Sequence, residues 1–388
     1  MIEKSIAENQ TLNSHMLFFD PINKVAEVEF DPGFKNGKLR YVDVKPGVRV
    51  LENGDVEFNF FAPNAKSVQV AGIGGYMGKE HHDMIKDNTG LFKGLWSVTV
   101  TGIPAGFHYH EYYVDGNRCI NPDAPVGYGC FYPINYFEMP DNDSDFYLMH
   151  NVPHGDVHME LYKSSVTGRT KACLVYTPPS YDDNTEKSYP VLYINHGVGE
   201  NETGWVWQGK LNLIVDNLLA KKKCKEMIVV MNSGYAFEES KQSVFFPGNF
   251  DCELTHDCIP FIENKYRIAK GRDNRAVAGL SLGSTQAFCT AMLHQDLFAS
   301  LGVFSGGFPI TRPEYDYSDF FKDSNKINNT FKTLFVSCGE QEIFYDSTME
   351  TLDRLKTAGA NITVYHRPGY HCWDVWRYSL RVLLQILF

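Results

Sequence analysis

Residues 279–283 read Gly279-Leu280-Ser281-Leu282-Gly283, a serine set between small residues in the form G-x-S-x-G. A serine hydroxyl attacks a carbonyl only when a base removes its proton. The chemistry therefore also needs an imidazole, a carboxylate to orient it, and amide N–H groups aimed at the developing oxyanion. The preceding run RAVAGL reads as a buried strand and the following LGSTQAFCTAMLH as a helix, so Ser281 falls on a strand-to-helix turn. Small neighbours let the backbone take the strained elbow that lifts such a hydroxyl above a sheet.

In hydrolases built on this elbow the acid and the histidine follow the serine in that order. Three histidines lie downstream. His294 sits about three turns along the helix leaving the elbow, and His366 lies inside the strand-like run ITVYHRP. His371, in the loop PGYHCW between the last strand and the last helix, is the expected base. The acid belongs after the strand TLFVSCG, where the loop offers Glu340, Glu342 and Asp346. Glu342 is the expected acid; Asp346 is better placed to cap the next helix, and Asp374 and Glu340 are the remaining choices. One oxyanion donor is expected from Leu282, the residue after the nucleophile. The other is expected from the turn His196-Gly197-Val198-Gly199 after PVLYIN, with Val198 preferred to Gly199 and His196 supporting the turn.

Aromatic residues crowd these loops: Trp205, Trp207, Phe245, Phe246, Tyr345, Trp373 and Trp376. Core packing is the default for such side chains, but Trp205, Trp373 and Trp376 are the expected wall of a substrate pocket. His108 and His110 in FHYHEYY share a strand face without further ligands at a usual spacing, and His81-His82-Asp83 reads as an exposed loop. With no C-x-x-C pair, no H-E-x-x-H and no phosphate-binding glycine loop, neither a metal nor a cofactor is expected.

These residues need a framework. After residue 150, CLVYTPP, PVLYINHG, MIVVMNSG, RAVAGLS, LGVFSGG, TLFVSCG and ITVYHRPG read as strands. Between most of them lie the helical patterns LNLIVDNLLAKK, HDCIPFIENKY, STQAFCTAMLH and STMETLDRLKTAG, and WDVWRYSLRVLLQI closes the chain. Such alternation implies a mostly parallel sheet covered by helices on both faces, with ligands bound beyond the carboxyl ends of its strands. Before it, VEFNFFAP, SVQVAG, LWSVTV and HYHEYYVDG alternate polar and apolar residues between turn signals, the pattern of an all-β, immunoglobulin-like sandwich. The polar stretch 139–156 reads as a linker, giving expected domains of 1–150 and 151–388.

Composition narrows the partners. The 388 residues are 43% hydrophobic and 21% charged, ample for a buried core. A net charge of −11 argues against a nucleic-acid partner; the single basic run, Lys221 to Lys223, follows a helical pattern whose C-terminus favours cations. No apolar run approaches the roughly 20 residues a membrane span needs. The start MIEKSIAENQ lacks a signal-peptide core, so the expectation is a cytoplasmic protein, or a secreted one if a signal has been removed. The nine scattered cysteines fit reduced thiols, with Cys252/Cys258 and Cys338/Cys372 the pairs an oxidising compartment would bridge.

VPHGDVHMELYKSSVTGRTKACLVYTPPSY, YPVLYINHGVGENETGW, AVAGLSLGSTQA, CGEQEIFY and GYHCWDVWR, in that order, closely resemble carbohydrate esterase family 1, most of all its bacterial feruloyl and acetylxylan esterases. The resemblance implies an α/β-hydrolase fold over about 150–388, with Ser281 as nucleophile, His371 as base and Glu342 as acid. Glu342 stands where those relatives usually carry Asp, and Ser284 where they tend to carry a second Gly. The earlier part resembles the early-set β-sandwich of carbohydrate-binding module family 48 that precedes many of these enzymes. The implied substrate is a feruloylated or acetylated plant polysaccharide or oligosaccharide; a homodimer is one assembly open to the chain, and the sequence does not fix the oligomeric state. An acetylxylan esterase is the alternative, since it would use the same triad with a smaller acyl pocket. A siderophore esterase of the enterochelin type shares the architecture, but its anionic substrate calls for Arg and Lys around the pocket, which the loops do not supply. A non-catalytic glycan-binding protein would need an unusable triad.

Overall fold

The computed structural model describes residues 26–29, 38–41, 45–89, 92–139, 141–237, 248–306, 317 and 319–388. Phe245 and Phe246 lie outside them. The chain divides into two compact units, Met1–Ser144 and Asp145–Phe388. The break precedes the expected residue 150 because the start of the second unit is tied to a helix. Lys221 pairs with Asp145 at 2.8 Å, and the Asn217 amide donates to the carbonyls of Phe146 and Leu148 at 3.0 and 2.8 Å.

In the first unit, Val48–Val50, Val56–Phe61, Ile85–Lys86 and Leu95–Val100 form one antiparallel sheet, and Gly106–Val114 is central to a second. Alternate residues of both, among them Phe58, Val70, Tyr112 and Phe137, bury into one cluster. His108 and His110 lie on that buried face of Gly106–Val114, where desolvation drives their pKa values down to about 4 and about 3. His81–Asp83 is a strand paired with Val68–Gly72 rather than a loop, its ring and carboxylate bonded to Gln69.

The second unit is built on an eight-stranded sheet. Its strands are β1 (Asp156–Lys163), β2 (Thr170–Thr177), β3 (Val191–Asn195), β4 (Ile228–Asn232), β5 (Arg275–Leu280), β6 (Ser300–Phe304), β7 (Thr333–Gly339) and β8 (Thr363–Arg367). The order is β1-β2-β4-β3-β5-β6-β7-β8, antiparallel at β1 and β2 and parallel thereafter. Every residue of β3, β4 and β6 is buried, as apolar runs covered by helices on both faces must be. The four helices used below are α1 (Leu211–Ala220), α2 (Leu282–Leu293), α3 (Tyr345–Thr357) and α4 (Trp373–Ile386). All seven expected strands are present; β1 was not among them, and only its first residue, Asp156, falls in the stretch 139–156 expected to be a linker. Among the described residues no helix is long and apolar enough to cross a membrane.

Candidate active site

Four adjacent parallel strands end side by side at the carboxyl edge of the sheet, Leu280 in register with Phe304, Phe304 with Ser337 and Gly339 with Arg367. The loops that follow carry Ser281 after β5, Ser305 after β6, Glu342 after β7 and His371 after β8. Parallel sheets collect ligands at this edge.

Ser281 links β5 to α2 with φ 52° and ψ −116°, a conformation costing about 1–3 kcal/mol in an L-residue. The turn is held from three sides. The Ser281 N–H donates to Phe304 O at 2.9 Å, and the Ser284 N–H and hydroxyl donate to Ser281 O at 3.1 and 2.6 Å. Both motif glycines answer to close approach. A Cβ on Gly279 would stand 2.2 Å from Gly283 O, and one on Gly283 would stand 2.5 Å from His196 O.

Glu342 and His371 meet, with Nδ1 of the imidazole 2.8 Å from Oε2. The carboxylate is almost wholly buried at 1% exposure, whereas the imidazole is 39% exposed and open to a reactant. An ionised carboxylate only accepts, so Nδ1 carries the proton and Nε2 is left free to accept one. The other oxygen, Oε1, accepts the Ser305 hydroxyl at 2.6 Å and the Gly339 N–H at 2.8 Å. Backbone bonds clamp the two loops together: Glu340 N–H to Arg367 O at 2.9 Å and Gln341 N–H to Gly369 O at 3.0 Å. The other carboxylates are engaged elsewhere. Glu340 bonds His366 on β8 at 2.9 Å, Asp374 takes the Cys372 thiol at 2.5 Å, and Asp346 lies in the first turn of α3 without capping it. His294 closes the far end of α2.

The predicted oxyanion donors separate. Leu282 is the first residue of α2, and a first-turn amide has no intrahelical acceptor. The Gly199 N–H is spent on the Tyr235 hydroxyl at 2.8 Å, which leaves Val198, 42% exposed, as the candidate on this turn. His196 supports the turn. Its Nε2 accepts from Gly234 N–H at 2.9 Å, so its Nδ1 donates to Gly197 O at 2.7 Å. Complete burial holds this ring neutral, its pKa down to about 4. A buried ion pair anchors the loop behind it. Lys171 Nζ lies 2.6 Å from Glu253 and donates to the carbonyls of Ser233 and Tyr235.

Trp205 and Trp373 do not stand where a pocket wall was expected. They are buried to 1% and 0% exposure, packed edge to face at 5.2 Å, with their indole N–H groups donated to Asn195 O and Glu200. Their large apolar area is worth more in the core than at a rim. Trp376 is the member of the trio that meets the candidate base, its ring 5.0 Å from that of His371. Sequence reasoning missed Ser305 and Tyr235. Their only signal was position just past a buried strand, Ser305 in VFSGG and Tyr235 in MNSGY.

All nine cysteines are free thiols. Burial, and then the neighbouring Glu342 carboxylate, push Cys338 up to about 12.

A strained serine elbow on a mostly parallel sheet, with a carboxylate-backed imidazole at the same edge, defines the α/β-hydrolase fold. The Esterase family model matches residues 164–385, more than half of the chain, and the chain belongs to that family. It is 31% identical to an endo-1,4-beta-xylanase/feruloyl esterase of Xylanibacter ruminicola over 97% of its own length and 52% of that protein's. It is 26% identical to endo-1,4-beta-xylanase Y of Acetivibrio thermocellus over 61% of its length and 22% of the relative's. The chain thus spans about half of the first of these relatives and less of the second. Among solved structures, a ferulic acid esterase from Anaeromyces mucronatus in complex with ferulic acid aligns with 25% identity and a TM-score of 0.56, over 64% of this chain and 96% of that one. The enterobactin esterase of Shigella flexneri aligns at a TM-score of 0.62 over 88% of this chain and 96% of that one; at 13% identity the likeness is one of fold alone.

Proposed function

We propose that the chain is a serine carboxylic ester hydrolase that releases ferulic or related hydroxycinnamic acids from esters on plant cell-wall arabinoxylan. The observation that carries this reading is the 2.8 Å bond between the buried Glu342 carboxylate and Nδ1 of His371, at the same sheet edge as the Ser281 elbow. Ser281 Oγ attacks the ester carbonyl while Nε2 of His371 takes its proton. The N–H groups of Leu282 and Val198 hold the oxyanion. His371 then protonates the departing sugar oxygen, and water, activated by the same imidazole, frees the acid from the acyl-enzyme. The substrate class rests on the likeness to the feruloyl esterases above. In this reading the first unit is an immunoglobulin-like, early-set module, supported by its four-stranded and six-stranded antiparallel sheets around one core cluster.

Ser281→Ala should lower kcat on methyl ferulate by at least about 10⁴-fold; retention of activity would overturn the mechanism. Faster turnover of acetylated xylan than of methyl ferulate would move the reading to an acetylxylan esterase.

A further inference from the structure

The Ser305 hydroxyl occupies a position the proposed mechanism does not use. It is buried to 1% exposure, just past β6, on a backbone with φ 50°. It donates to Glu342 Oε1 at 2.6 Å, and the Trp376 indole Nε1–H donates to it at 2.9 Å. Indole N–H only donates and a carboxylate only accepts, so the direction of the chain is fixed. Trp376 gives to Ser305, Ser305 gives to Glu342, and Glu342 takes the Nδ1 proton of His371 on its other oxygen. The Trp376 ring also meets His371 edge to face at 5.0 Å. The four groups close a ring around the base: α4 supplies the indole, and the loops after β6, β7 and β8 supply the hydroxyl, the acid and the imidazole.

We propose that Ser305 and Trp376 are positioning residues for this esterase reading: a hydrogen-bond relay from Trp376 through Ser305 fixes Glu342 against His371. Glutamate has one methylene more than aspartate and one more rotor to restrain. The relay restrains it by pinning Oε1, so that Oε2 points at the imidazole. A backbone strained at φ 50° is kept at Ser305 because it delivers the hydroxyl to that oxygen.

The test uses the full chain and four variants: Ser305→Gly, Ser305→Ala, Trp376→Phe and the double variant Ser305→Gly/Trp376→Phe. Glycine and alanine both remove the hydroxyl, but only glycine accepts the positive φ without strain. Both single serine variants should lose kcat about tenfold, the worth of a hydrogen bond to a charged group, with KM within about twofold. The loss should be equal on methyl ferulate and 4-nitrophenyl acetate, while Ser305→Gly melts above Ser305→Ala. Trp376→Phe should lose less, and the double variant no more than Ser305→Gly alone. The proposal is overturned if Ser305→Gly keeps its kcat, if kcat follows melting temperature across the two serine variants, or if the indole and hydroxyl losses multiply. A readout without substrate separates this from the esterase reading itself. The downfield proton resonance of His371 Nδ1, identified by its absence in His371→Gln, should shift or broaden in Ser305→Gly. An unmoved resonance overturns the relay, whereas an inactive wild-type chain overturns only the proposed function.

Discussion

Replacing Glu342 by Gln changes one atom at the centre of the site and tests whether this carboxylate orients the base. The amide has two placements. With its carbonyl at the Oε1 position it keeps the bonds from the Ser305 hydroxyl and the Gly339 N–H, and turns its NH₂ toward Nδ1 of His371. Flipped, the NH₂ faces the Gly339 N–H, which can only donate, and forfeits that bond at about 1–3 kcal/mol even if the Ser305 hydroxyl turns to accept, so the first placement wins. In that placement Nδ1 must accept and the ring proton moves to Nε2, the nitrogen that should receive the serine proton. Returning to the productive tautomer sets N–H against N–H and withdraws the charge that stabilises the imidazolium. Together these cost about 4 kcal/mol, or about a thousandfold in kcat/KM. The assay is steady-state hydrolysis of methyl ferulate and of 4-nitrophenyl acetate by Glu342→Gln, with its thermal midpoint close to that of the wild type because shape and burial are kept. Glu342→Asp, one methylene short, should fall about ten- to a hundredfold through misplacement. Activity of Glu342→Gln within fivefold of wild type, with Asp374→Asn or Glu340→Gln crippled instead, would refute the assignment.

Further outcomes follow from the surrounding scaffold. Gly279→Ala places a methyl 2.2 Å from Gly283 O, so the elbow cannot close and esterase activity should vanish; an active, folded variant would contradict the geometry. Tyr235→Phe strips the acceptor from the Gly199 N–H and should cost about tenfold in kcat/KM through a loosened oxyanion turn, read against an unchanged circular dichroism spectrum. Glu253→Ala leaves Lys171 buried and unpaired, and should destabilise the second unit by about 3–5 kcal/mol in denaturant unfolding. His196 is held near 4 by burial against an ordinary value of 6.5, so the unfolded chain takes the proton first and stability falls as pH drops from 6.5 toward 4. The slope is about 1.4 kcal/mol per pH unit, or about 2 kcal/mol between pH 6.5 and 5. Equal urea midpoints at those two pH values would show the ring is not buried neutral.

The parts of the site fixed by local pattern were legible in the sequence. Ser281, Glu342 and His371 each follow an apolar run that ends in small or polar residues, and strand order in a parallel sheet does the rest. β1 was missed because an edge strand can show apolar side chains to solvent: Met159 and Leu161 are exposed, so its alternation carries no burial signal. The tryptophans were misjudged because proximity in sequence to His371 does not say which side of α4 meets the core. Trp373 points inward and Trp376 toward the imidazole, a distinction set by helix phase against neighbours far away in the chain. Ser305 was invisible for a similar reason. Its hydrogen bonds run to two partners, Glu342 from the loop after β7 and Trp376 from α4.

The hydroxyl of Ser284, bonded to Ser281 O, fills room beside the elbow that a side chain at residue 306 would need: a Cβ on Gly306 would lie 1.7 Å from Ser284 Oγ. The two positions therefore behave as one inherited character. With glycine at 284 the nearest remaining atom to a Cβ at 306 is Ser281 O at 3.2 Å, a tight fit; with serine at 284 the hydroxyl must leave its bond to Ser281 O before alanine can enter at 306. Grafting this elbow into another hydrolase would therefore carry a requirement for a small residue at the position of Gly306, outside the motif itself.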